Sequence, residues 1–193
     1  MPSNVTATNV STGKPKVGGA IFNAPIGTTL PTDATTDLPD AFVCVGHISD
    51  DGVDNEQELT TNDIKAWGGT IVLNALTEFK DNFKFKMIES KNANALKAYY
   101  GDTNVTVAGS GAVTVNVGAF EMPERVWAIE TALRSGVKRR LVIPNGQVTA
   151  RDAISYKDED PIAYGVTVTA TADSTGSTHK EYSSPESGQS GTS

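Results

Sequence analysis

Phe83-Lys84-Phe85-Lys86-Met87 sets the class of fold. Apolar and cationic side chains alternate strictly, so an extended segment turns Phe and Met to one face and Lys to the other, the period of a half-buried strand. Just upstream, Lys80-Asp81-Asn82 reads as a break, preceded by a strand over Thr70-Ile71-Val72-Leu73-Asn74-Ala75-Leu76-Thr77. Residues 70–77 and 83–87 are therefore predicted to be a strand pair. Further back, Phe42-Val43-Cys44-Val45-Gly46-His47-Ile48 reads as a buried strand and residues 19–24 as the first one. The loop joining them, over 25–40, is rich in Pro, Gly, Thr and Asp, which favour turns.

Between residues 48 and 70 the chain turns polar and acidic. Asp50, Asp51, Asp54, Glu56, Glu58 and Asp63 crowd residues 49–63, interrupted only by Val53 and Leu59 among apolar residues. An excursion of that length reads as a long loop, functional or disordered. Its spacing lacks the sixth-position glycine and the terminal bidentate Glu of an EF-hand, so the acids are read as a solvated loop or a subunit contact rather than a Ca²⁺ site. Trp67, ahead of Gly68-Gly69, is a partner anchor or a core plug, two readings of equal weight.

Downstream, Ser90 is predicted to cap a helix running to Tyr100, with Leu96, Tyr99 and Tyr100 as its apolar stripe and Gly101 closing it. Residues 105–107 and 113–117 flank Gly109-Ser110-Gly111 as a hairpin. A second hairpin joins 125–134 to 138–143 through Ser135-Gly136. Its first arm also fits helical spacing after Pro123, and strand is favoured because the partner run Leu141-Val142-Ile143 is extended. Strands over 148–156 and 162–172 complete a mainly β chain with one helix.

At 193 residues the chain suits one domain, with polar ends at 1–17 and 183–193 too poor in apolar residues to bury themselves. A net charge of −7 opposes a protein that grips nucleic acid, since that affinity comes from cations neutralising phosphates. The single Cys44 allows no intrachain disulfide and reads as a buried, inert thiol. His47 and His179 stand at no metal-ligand spacing, and Gly109-Ser110-Gly111 precedes a strand rather than the helix a dinucleotide fingerprint needs. Lys138-Arg139-Arg140 reads as three strand cations that pair with carboxylates on a neighbour. No catalytic, metal or cofactor-binding residues are assigned. No run approaches the ~20 apolar residues of a membrane span, and no basic-then-apolar leader opens the chain, so the expectation is a protein made and kept soluble, without a membrane anchor.

Several segments, in this order, carry a resemblance: residues 18–36 from Gly18-Gly19-Ala20-Ile21-Phe22-Asn23, 42–53, Asp63-Ile64-Lys65-Ala66-Trp67-Gly68-Gly69, Leu96-Lys97-Ala98-Tyr99-Tyr100-Gly101-Asp102 and Arg139-Arg140-Leu141-Val142-Ile143-Pro144-Asn145. Together they resemble the major tail proteins, or tail tube proteins, of long-tailed noncontractile bacteriophages, particularly those of actinobacterial hosts. The resemblance implies a tail-tube-type β-sandwich or barrel over residues 18–182, with one flanking α-helix, long assembly loops and terminal arms at 1–17 and 183–193. It further implies a nonenzymatic virion protein, made in the host bacterial cytoplasm, whose copies form stacked hexameric rings. Genome DNA would pass through their lumen without specific binding, and the tape measure protein and tail terminator or tip proteins would be further partners. On that implication the candidate subunit-interface residues are Asp50, Asp51, Asp54, Glu56, Glu58, Asp63, Trp67, Lys138, Arg139 and Arg140. The rival reading is a β-sandwich binding module, a virion decoration or host-glycan adhesin, which would mark itself by exposed aromatic residues grouped on loops.

Overall fold

Phe83, Phe85 and Met87 are buried and Lys84 and Lys86 are exposed, as their alternation predicts, but they end a much longer strand. The computed structural model describes residues 7–186. Residues 1–6 of the expected N-terminal arm and 187–193 of the expected tail lie outside the described residues. The elements in chain order are β1 (Lys14–Pro15), β2 (Ile21–Pro25), β3 (Val43–Cys44), β4 (Ile48–Lys65), β5 (Ile71–Met87), α1 (Ala93–Tyr100), β6 (Val105–Val107), β7 (Val113–Val115), β8 (Glu124–Ala132), β9 (Lys138–Arg151), β10 (Tyr164–Thr171) and β11 (Lys180–Ser183). The described residues are thus mainly β, with every strand pair antiparallel and one α-helix.

Nine strands form one sheet in the order β3-β2-β8-β9-β10-β5-β4, with β1 sharing an edge of β8 and β11 an edge of β9, while β6 and β7 make a separate hairpin. β9 runs unbroken through Pro144, where sequence pattern splits it in two. The proline is tolerated because β9 changes partner around it: the last pair with β11 is Val142↔Lys180 and the first with β10 is Asn145↔Thr171. No ladder bond is asked of the missing N–H there.

On one face of the sheet, Trp127, Ile129, Ile143, Phe83, Phe85, Val166 and Val168 form the main core, covered by Ala95, Leu96 and Tyr99 of α1 and by Val105. The helix starts at Asn92, not Ser90, because the Asn92 Oδ1 accepts from the Asn94 N–H at 2.9 Å while its amide donates to Glu89 Oε2. Gly101 ends it with φ of 93°, a value that disfavours any side chain, and donates its N–H to the Lys97 carbonyl.

The opposite face holds a smaller core of Ala24, Phe42, Val126 and Ala128, lidded by the loop over residues 26–42 through Leu30 and Leu38. Glu130 and Arg140, paired across β8 and β9, share this face and are both buried. Arg140 donates to Glu130 and also to the carbonyls of Asp33 and Thr36, at 2.7 and 2.8 Å, so one guanidinium pins the lid to the sheet. Asp33 shapes the lid's turn by accepting from the backbone N–H groups and hydroxyls of Thr35 and Thr36.

Those donors hold the Asp33 carboxyl far below the usual carboxylate range, the side-chain bond from Thr36 contributing most. A carboxyl lowered on folding stabilises the fold above its unfolded value, about pH 4, and that contribution is lost as pH falls toward the folded value. Wild-type protein should therefore exceed Asp33→Asn in melting temperature at pH 7, with the gap narrowing steadily below about pH 4. Thermal unfolding at pH 7, 4 and 2.5 measures it, and a constant gap would mean that Asp33 does not titrate with folding.

Several sequence expectations need correction. Residues 42–48 are not one buried strand: only Val43 and Cys44 pair with β2, Val43 is exposed and Cys44 half-buried, and Gly46 turns the chain with φ of 91°. Lys80-Asp81-Asn82 does not break the chain, so residues 70–77 and 83–87 are two parts of β5 and not a pair. Their common partner is β4, formed by the residues expected to be a loop.

Candidate assembly interface

β4 and β5 pair from Val53↔Phe85 to Lys65↔Ile71. Beyond Asp81 on β5 and Val53 on β4 no residue of this hairpin is buried, so its outer part, residues 56–80, stands off the body as a two-stranded ribbon with solvent on both faces. The acids expected on a loop are ordered along it. Their polarity reflects exposure and cross-strand pairing: Glu56 meets Lys84 at 2.5 Å, Asp51 meets Lys86 at 2.9 Å, and Asp63 accepts from the Asn74 amide. Lys86 lowers the Asp51 carboxyl and Glu56 raises the Lys84 amine, as close opposite charges do. Glu58 stands opposite Lys80, which turns to Glu78 instead. Asp50 and Asp54 are exposed without an ion pair among the described residues.

Apolar side chains share the ribbon with these charges. Leu59 lies opposite Phe79 and Ile64 opposite Leu73, while Ile71, Val72 and Leu76 are also exposed. Trp67 occupies the tip, where Ala66 and Thr70 close the turn over Gly68 and Gly69, and its side chain is wholly exposed. The core-plug reading of Trp67 is thereby excluded. A two-stranded ribbon is marginal by itself, and uncovered apolar residues of this size mark an interaction surface. Among the described residues β4 is also the last strand of the sheet, so its outer edge leaves a row of backbone donors and acceptors without ladder partners there.

The basic triplet is elsewhere, on β9, separated from β4 by β10 and β5. Arg139 pairs with Glu181 on β11 and Arg140 is buried under the lid, so both find carboxylates on neighbouring strands of the same chain. Lys138 takes part through its backbone, which donates to the Ser184 hydroxyl. Arg140 is enclosed within the subunit, and its side chain is not available to a second copy.

Sequence reasoning passed over the root of the ribbon. Asp81 is fully buried and accepts from the Asn55 amide at 2.7 Å and the Thr178 hydroxyl at 2.6 Å, with His179 Nδ1 at 2.5 Å. It joins the ribbon's base to the segment leading into β11. The signal was present: Asp81 has the parity of Phe83, Phe85 and Met87, which places it on the core face. Three tyrosines also meet, Tyr99 lying edge-on to Tyr100 and Tyr164 at 4.7 and 5.2 Å between centroids. Tyr99 and Tyr164 are buried and Tyr99 donates its hydroxyl to the Asp152 carbonyl, so the group belongs to the core and offers no exposed aromatic platform for a glycan.

Among the described residues no group of His, Cys, Asp and Glu is placed to hold a metal ion, and no helix is long and apolar enough to cross a membrane. The model of one protein family, described as phage tail tube protein, matches residues 14–187. No curated protein matches the chain.

Proposed function

The chain belongs to the phage tail tube protein family, and from that membership we propose that its copies close into hexameric rings which stack into the hollow tube of a noncontractile phage tail. The observation that carries this reading is the 18-residue edge strand β4 continuing into a ribbon whose apolar side chains have no cover in a single copy. The free edge suits pairing with the sheet of a neighbour within a ring, because β-augmentation satisfies its backbone groups. The ribbon, projecting from the body, suits contact with the next ring.

In this reading the protein is structural and catalyses nothing. It is made in the host cytoplasm and resides in the virion tail, where the tape measure protein and the tail terminator or tip proteins are its further partners. Genome DNA crosses the lumen without being held, and the net charge of −7 favours that passage, since like charge prevents the phosphate grip of a basic channel. Negative-stain microscopy of concentrated purified protein tests the proposal. Tubes of constant diameter and regular axial repeat are expected, and protein that stays monomeric at every concentration would overturn it.

A further inference from the structure

Trp67 and a groove formed among the described residues lie at opposite ends of the same strand ladder. The groove, about 820 Å³, runs between the β1 segment, the start of β4 and β8, with Pro15, Ala20, Ile48, Val53 and Ile129 among its apolar walls. That volume lies in the range of about 300–1,000 Å³ over which proteins enclose compact apolar ligands. Asp50 and Asp51 contribute acidic groups to it, and Asp51 is already engaged by Lys86 whereas Asp50 has no ion pair among the described residues. At the ribbon tip, Lys65 lies two residues from Trp67 and likewise has no ion pair among the described residues. Added Cβ atoms at Gly68 and Gly69 would meet only open space, so the turn that carries the indole is slim.

We propose that Trp67 of one copy inserts into this groove of a second copy, with Lys65 approaching Asp50. The inference rests on the tail tube reading and assigns a specific plug and socket to it. A copy cannot fill its own groove, because β4 separates the two: its 18 residues extend for at most about 60 Å. The contact therefore joins two copies, and the tail tube reading requires its heterologous form, each copy giving its plug to one neighbour and its socket to another, because repetition along one direction then builds an open stack where reciprocal exchange would close a dimer. An axial repeat no longer than that strand length follows.

Two measurements test the proposal. Acrylamide quenching of tryptophan emission in unmodified protein separates exposed Trp67 from Trp127, which is buried. Assembly should remove the quenchable fraction, and unchanged quenching in tubes would overturn the insertion. A photo-crosslinking residue at position 67, doped into an excess of isotopically distinct wild-type protein, should react with peptides covering 13–20 and 46–53 of the other copy. Crosslinks confined to other surfaces, in tubes that otherwise form, would overturn the socket while leaving the tail tube reading intact. Failure of wild-type protein to form tubes would instead count against that reading. Trp67→Ala should raise the concentration needed for tubes by roughly 30-fold, the effect of a contact worth about 2 kcal/mol, without changing the monomer's melting temperature.

Discussion

A variant in which residues 59–79 are replaced by an Asn-Gly turn between Glu58 and Lys80 should fold as a stable monomer and form no tubes. Glu58 and Lys80 are opposite each other in the ladder, so a two-residue turn closes the shortened hairpin without altering its register. The deleted residues contribute nothing to either hydrophobic core. Their removal should change monomer stability by less than about 1 kcal/mol, as is usual for solvent-exposed changes, while abolishing polymerisation altogether. Light scattering and thermal unfolding would confirm the folded monomer. Tubes of normal appearance from this variant would remove the ribbon from any account of assembly.

The largest loss of stability from one side chain is expected at Arg140. Replacing it with Met leaves Glu130 buried without its main partner and detaches the lid from the sheet, for a cost of about 3–5 kcal/mol. Lys16, 2.5 Å from Glu130 and partly exposed, retains some of the compensation and places the effect toward the lower end of that span. Changing both residues, as Glu130→Leu with Arg140→Met, should recover much of the loss, because a well-packed apolar pair needs no charge partner. Urea unfolding of the single and double variants measures both quantities. A single variant as stable as wild type would show that the lid is held by its apolar contacts alone.

The body of the fold was legible because its strands bury one or both faces. Alternation at residues 83–87 is a local pattern that burial enforces, while the Ser135-Gly136 turn and the hairpin at 105–115 around Gly109 and Gly111 carry local turn signals. Only one arm of the ribbon, residues 70–77, was legible as a strand, and its partner was not, for the opposite reason. With both faces wet in a single copy, nothing enforces a period of two, and the information that makes it a strand pair sits across the sequence: Glu56 finds Lys84 28 positions away, and Asp51 finds Lys86 35 positions away. The candidate site was legible in part for the same cause. Composition placed the acids and Trp67 together, whereas Leu59 reads as an interruption of a polar loop, Leu73 as an ordinary strand residue and Phe79 as neither, because their lack of cover is a tertiary fact.

The acid-lined free edge of β4 has a consequence for pairing. A long bare strand edge is the usual template for indiscriminate aggregation, and charges placed along it are how proteins keep such edges apart. Two such edges meeting each other thus bring like charges together, which disfavours edge-to-edge pairing between copies in the wrong register. In the proposed tube, a surface that offers correctly spaced cations and an apolar receptor is favoured over another bare edge, so charge selects the contact made when concentrated copies assemble.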